Sequence, residues 1–167
     1  MSAEAKAGRG GRQGASSGEG FSQEERAAVK ERAAELRKDA RRGRGTDKAA
    51  ADERDVLAKI AEMDPQDRAL AERVHAVVTT AAPELAPKLW YGQPAYAKAG
   101  KVVCFFRSGQ VDKERYSSFG FTVQANLDED GGMWPTAYAL TRLSEAGEAT
   151  LRELVEKAVR RGPDGPG

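Results

Sequence analysis

Between residues 47 and 80 apolar side chains recur at intervals of three and four. Beyond residue 87 the apolar runs become short and rich in aromatic and β-branched residues. The first spacing is that of amphipathic helices. Val56, Leu57, Ile60 and Met63 predict a helix over 47–63, and Leu70, Val74, Val77 and Val78 a second from Pro65 to about Thr80. The DPQD at 64–67 marks the restart: Asp64 is expected to cap, Pro65 takes the first helical position and Asp67 follows. An earlier helix is expected over 22–41, opened by a capping box of Ser22 and Glu25. Its apolar stripe is thin, Val29, Ala33, Leu36 and Ala40, so it should dock weakly or stand free. APELAP predicts a short turn of helix from Pro83.

The second spacing is that of strands. KLWY, AYAKAGKVVCFF, ERYSSFGFTV and TAYALTRL are each bounded by Gly, Asp or Pro, and Ala99-Gly100 suits a tight hairpin between 95–98 and 101–106. VVCFF is apolar on both faces and should be an interior strand. In KLWYGQPAY, a strand would point Leu89, Tyr91 and Gln93 one way and Trp90 the other until Pro94 interrupts the pairing. NLDEDGG reads as an exposed loop. A last helix runs from Ser144 to near Arg161, burying Leu151, Leu154, Val155, Ala158 and Val159, and Gly162-Pro163 ends it. Helices, then consecutive strands, then a helix describe an α+β domain with a mostly antiparallel sheet.

Composition adjusts this picture at the ends. The chain has 167 residues and a net charge of +1, but residues 1–45 hold 11 Lys and Arg against 7 Asp and Glu. Residues 1–20 are Gly, Ser, Ala and charge, and are expected to be a disordered tail. Residues 21–45 then form a peripheral basic helix and linker, 46–162 the folded domain, and 163–167 a second tail. No apolar segment is long enough for a membrane span or a secretory signal, and the one cysteine, Cys104, cannot form an intrachain disulfide. A cytoplasmic protein without a membrane partner is expected, its oligomeric state open.

No enzyme signature emerges, so no catalytic residue is assigned. Ser117 and Ser118 lack a nucleophile-elbow setting, and GRGGRQG lacks the lysine and hydroxyl of a phosphate loop. Cys104 within VVCFF should be a buried, inert thiol, and His75 a boundary histidine without metal-ligating neighbours. Trp90, Tyr91, Gln93, Pro94, Tyr96, Tyr116 and Trp134 could line an aromatic groove for a small molecule or peptide; the alternative is that the rings fill core and edge. Asp128, Glu129 and Asp130 could hold a hard cation through oxygen ligands, although the spacing is not an EF-hand, and a solvated turn is the plainer reading. Asp52 and Asp55 share a helix face and offer a weaker carboxylate pair. Arg9, Arg12, Arg37, Lys38, Arg41, Arg42 and Arg44 could touch phosphates, but the acids among them dilute the charge, so nucleic acid is set aside as a main partner.

APELAPKLWYGQPAYAKAGKVVCFF, RYSSFGFTVQANL and MWPTAYALTRL, in this order, resemble the YdhG-like family of small bacterial domains. The likeness spans about residues 54–160 and rests on Tyr91-Gly92-x-Pro94-Ala95-Tyr96, the hairpin into VVCFF, Tyr116 with Phe119-Gly120-Phe121, and Trp134-Pro135. It implies a sheet of about five strands packed against N-terminal helices and a C-terminal helix. Many members have no assigned activity and some are described as frataxin-like iron chaperones, so the resemblance, beside the missing enzyme signature, leaves room for a non-enzymatic carrier that handles an iron ion and passes it to a receiving protein. No metal-ligand motif of the family maps onto this chain. The carboxylates of 128–130 are the chemically suitable ones, and no cofactor is firmly implied.

Overall fold

The computed structural model of the chain describes residues 22–160. The expected tails at 1–20 and 163–167, with Arg9 and Arg12, lie outside the described residues. The elements run α1 (Gln23–Arg42), α2 (Thr46–Ala61), α3 (Pro65–Ala81), β1 (Ala86–Trp90), β2 (Gln93–Lys98), β3 (Lys101–Arg107), β4 (Ser117–Phe121), β5 (Ala137–Leu140) and α4 (Glu145–Val159). The five strands form one antiparallel sheet in sequence order. This is the α+β architecture expected. The segment after Pro83 is a plain turn closed by Leu85 N–H on the Ala82 carbonyl, and β1 already starts at Ala86.

The sheet is a meander because each connection is short or polar enough to reverse the chain. At the β2–β3 hairpin, Ala99 and Gly100 both take positive φ, 52° and 81°. An equivalent reversal joins β1 to β2 at Tyr91 (φ 55°) and Gly92 (φ 77°). Such turns match the strands' right-handed twist. The chain therefore folds back inside KLWYGQPAY instead of running through it as one strand. Trp90 faces Gln93 across the turn, and Pro94 pairs with Leu89 within β2. Pro94 is tolerated there because the β2–β3 ladder begins only at Ala95–Phe105, so no strand requires its missing N–H.

The pairing register sorts side chains onto two faces. Pro94, Tyr96, Cys104, Phe106, Phe119 and Phe121 are all buried, and the last five belong to the core. Val56 and Ile60 of α2, five residues of α3 from Leu70 to Val78, and Leu151, Val155 and Ala158 of α4 pack against them. Leu57 is half exposed, so α2 buries a narrower stripe than its periodicity predicts. On the opposite face the half-buried rings of Trp90 and Phe105 lie with centroids 5.3 Å apart. Phe105 crosses Gly120, where a methyl group would run into the ring.

Helix α1 lies outside this core. Its capping box forms as expected: Ser22 Oγ accepts from Glu25 N–H at 3.0 Å and Glu25 Oε1 from Ser22 N–H at 2.8 Å. Its orientation differs from expectation. The Val29, Ala33, Leu36 and Ala40 stripe faces solvent, and none of the helix's residues is buried. The charged face docks instead. Arg42 pairs with Asp52 (2.7 Å) and Asp55 (2.8 Å), Asp39 with Lys88 (3.1 Å) and Lys48 (3.3 Å), and Glu31 with Lys59 (3.0 Å). The physical reason is the surface beneath it. Burying Val29 and Leu36 is worth about 1.5–3 kcal/mol each, whereas covering that many unpaired charges costs several kcal/mol per ion.

Candidate functional site

The hairpin at Tyr91–Gly92 is the anchor for α1. In a turn with two positive φ values the amides of both turn residues project outward, and Glu35 accepts from them at 2.8 Å (Tyr91 N) and 2.7 Å (Gly92 N). Arg32 sits over the Tyr91 ring, 5.4 Å from its centroid. From this anchor the first half of α1 extends toward the β3–β4 loop, where Glu24 meets Lys113 at 3.5 Å. The helix thus bridges two parts of the sheet's hairpin end and leaves a gap beneath it.

That gap is a cavity of about 540 Å³. One wall is α1 (Gln23 to Glu31); another is the α2–α3 turn with Lys59, Glu62, Met63 and Asp64. The hairpin supplies Tyr91, Gly92, Gln93 and Pro94, and the end of β3 with its loop supplies Arg107, Ser108, Gln110, Val111 and Lys113. The loop wall is held in place by Asp67 in the first turn of α3. Its carboxylate accepts from Gln110 N–H at 3.1 Å and from the Ser108 hydroxyl. Apolar surface from Ala27, Ala28, Met63, Pro94 and Val111 alternates with charge, the usual make-up of a small-molecule pocket of roughly 300–1,000 Å³.

Two atoms of this wall lack partners. Gln93 is only 9% exposed, and its Oε1 is buried without a hydrogen bond, while its Nε2 makes a long 3.4 Å contact with the Trp90 carbonyl. Asp64 occupies the N-cap of α3 but makes no capping bond, contrary to expectation, and its Oδ1 is buried without a partner. Buried polar atoms are nearly always satisfied, because each one left alone costs about 1–3 kcal/mol.

The sequence-predicted groove comes together only in part. Tyr91, Gln93 and Pro94 line the cavity. Trp90 packs outside it, perpendicular to the Tyr91 ring and tilted against Phe105. Tyr96 is fully buried, its hydroxyl 2.9 Å from His75 Nδ1, and His75 Nε2 reaches Glu53 at 3.3 Å. Burial, with lesser contributions from Cys104 and Glu53, pushes the Tyr96 hydroxyl well above its ordinary pKa of 10.0. Burial likewise raises the Cys104 thiol. Tyr116 is exposed under Arg115, and Trp134 packs on the core. Asp128, Glu129 and Asp130 are exposed, with Glu129 paired to Lys157. Among the described residues no group of three or more His, Cys, Asp or Glu side chains converges as a metal site would require. Asp52 and Asp55 are engaged by Arg42, and Asp52 also by Lys48. Of the basic arm, Arg42 and Lys38 are drawn into the same cluster.

In the sequence Met63 belongs to the apolar stripe of α2 and Asp64 to a helix restart, and nothing there marks α1 or the β3–β4 loop as the wall of a cavity. The hints were Tyr91, Gln93 and Pro94, already candidates for a groove, and Gly92, whose permissive backbone suits the turn that seats Glu35. Comparison with protein-family models finds no match, and searches of curated proteins and of solved structures find none either. No helix among the described residues is long and apolar enough to cross a membrane.

Proposed function

We propose that this protein is a non-enzymatic small-molecule-binding module whose site is the cavity at the hairpin end of the sheet. The observation that carries the reading is Gln93, a side chain more than nine-tenths buried in the cavity wall with its amide oxygen unpartnered. A ligand that donates to it would satisfy an atom the fold leaves unsatisfied. A cytoplasmic location belongs to the same proposal and is supported by the buried, free thiol of Cys104. Membership of the YdhG-like family is likewise proposed, on the motifs quoted above and on the agreement of a five-stranded α+β fold with what that family implies. Iron carriage through Asp128, Glu129 and Asp130 has less support, since Glu129 already has a cation and the loop's carboxylates do not gather with others.

A fragment screen by ligand-observed NMR tests the reading. Ala28 lines the cavity from α1, so Ala28→Trp should fill it from one wall. Fragments that bind the wild-type chain should lose their signal with the variant; fragments that bind both equally would move the site elsewhere.

A further inference from the structure

We infer that the ligand of this cavity is a small organic cation with N–H donors, an alkylammonium or guanidinium head on a short apolar body. The inference rests on the cavity being a binding site and concerns what it selects. The basic side chains in the wall are matched: Lys59 by Glu31 (3.0 Å), Lys113 by Glu24 (3.5 Å) and Arg107 by Asp112. Once these pairs are set aside, the wall retains the carboxylates of Glu62 and Asp64, neither with an ion pair among the described residues. The two unpartnered atoms, Asp64 Oδ1 and Gln93 Oε1, are both acceptors.

An anion would meet acceptors and surplus carboxylate, and a hydrocarbon would leave both oxygens unsatisfied. A cation with N–H groups answers the charge and the hydrogen-bond demand together, because ammonium and guanidinium carry donors and no acceptor. The terminal amide of Gln93 turns about a soft torsion, and the long contact to Trp90 is the one side-chain hydrogen bond among the described residues that its rotation toward a ligand would break. The apolar body then lies against Ala28, Met63, Pro94 and Val111.

The test is a matched series with one hydrocarbon, 3-methylbutylammonium, 3-methylbutanol and 3-methylbutanoate, titrated into the full chain and followed by backbone amide shifts. The ammonium probe should bind at least about tenfold more tightly than the alcohol, as expected for a charge-assisted hydrogen bond, and the carboxylate should bind weakest. Asp64→Asn retains a good N-cap residue and should weaken the ammonium probe alone. Gln93→Met keeps the side chain's length and should do the same to a smaller degree. If alcohol or carboxylate binds as tightly as the ammonium, or the ammonium fails to bind, the cation assignment is overturned. In that event, loss of the other probes with Ala28→Trp would leave the cavity reading intact. If all probes persist with Ala28→Trp, the cavity reading falls and the cation assignment with it.

Discussion

The hydroxyl of Tyr96 is fully buried at the centre of β2, and among the described residues His75 is the partner that answers it. His75 in turn reaches the half-exposed Glu53, so a polar chain runs from the helix surface to the middle of the core. The energetic weight of such a chain is asymmetric. His75→Leu strands the hydroxyl without a partner and should cost about 1–3 kcal/mol, whereas Tyr96→Phe removes the group that needs satisfying and should cost about 1 kcal/mol or less. The double variant should therefore be more stable than His75→Leu alone, a coupling that urea unfolding of the four chains measures directly. Additive losses would mean that the 2.9 Å contact contributes nothing to the fold.

Helix α1 shows what charge alone can hold in place. The Asp39 carboxyl is buried enough to be pushed upward, yet Lys88 and Lys48 outweigh that and hold it below its ordinary 3.8. Burial pulls the Lys48 ammonium down, and Asp52 and Asp39 more than offset it, so it stays above 10.5. The signs define a window. A lowered carboxyl contributes its full stabilisation above pH 3.8 and loses it as pH falls through the lower docked value. A raised ammonium contributes fully below pH 10.5 and loses it as pH rises through the higher docked value. The backbone amide shifts of Asp39 and Lys48, the residues whose charges set these limits, should be constant within that window. They should move together in stronger acid, in stronger base, and in about 1 M salt, where screening acts within roughly 3 Å. Shifts that ignore salt would show that the helix is held by something other than its ion pairs. The same element shows how far the sequence could be read. The capping box, the dipole-matched charges and the length of α1 were all legible because they are local. Which face docks was not, since it depends on Asp52, Asp55, Lys59 and Lys88, brought beneath the helix by elements that follow it in the chain. The helices α2 to α4 and the strands were legible for the opposite reason: their periodic apolar residues meet one shared core. A turn motif at Tyr91–Gly92 was legible but its tight two-residue reversal was not, because a tyrosine at positive φ is an uncommon turn residue; the unpaired Asp64 was not legible because a capping residue that does not cap looks the same in sequence as one that does.

At the scale of the molecule these two kinds of cohesion divide the chain into a body and a strap. The hydrophobic core draws on α2, α3, α4 and the sheet, and no residue of α1 belongs to it. The pairs that dock α1 are partly buried, and the charges beneath the helix return to water once it is gone, so removing residues 1–43 should lower the unfolding free energy by only a few kcal/mol and leave the transition cooperative. The cavity should not survive the same cut, because Gln23 to Glu31 form one of its walls. Ligand linkage separates the two effects. A ligand bound only by the native state, at a hundred times its dissociation constant, stabilises that state by about 2.7 kcal/mol. The full chain should therefore gain that increment in denaturant unfolding with saturating 3-methylbutylammonium, while the chain beginning at Arg44 should unfold at the same midpoint with and without it. An equal gain in both chains would place the binding surface wholly on the body and leave α1 without a part in it; a truncated chain that fails to unfold cooperatively would show that the strap is needed for the fold itself.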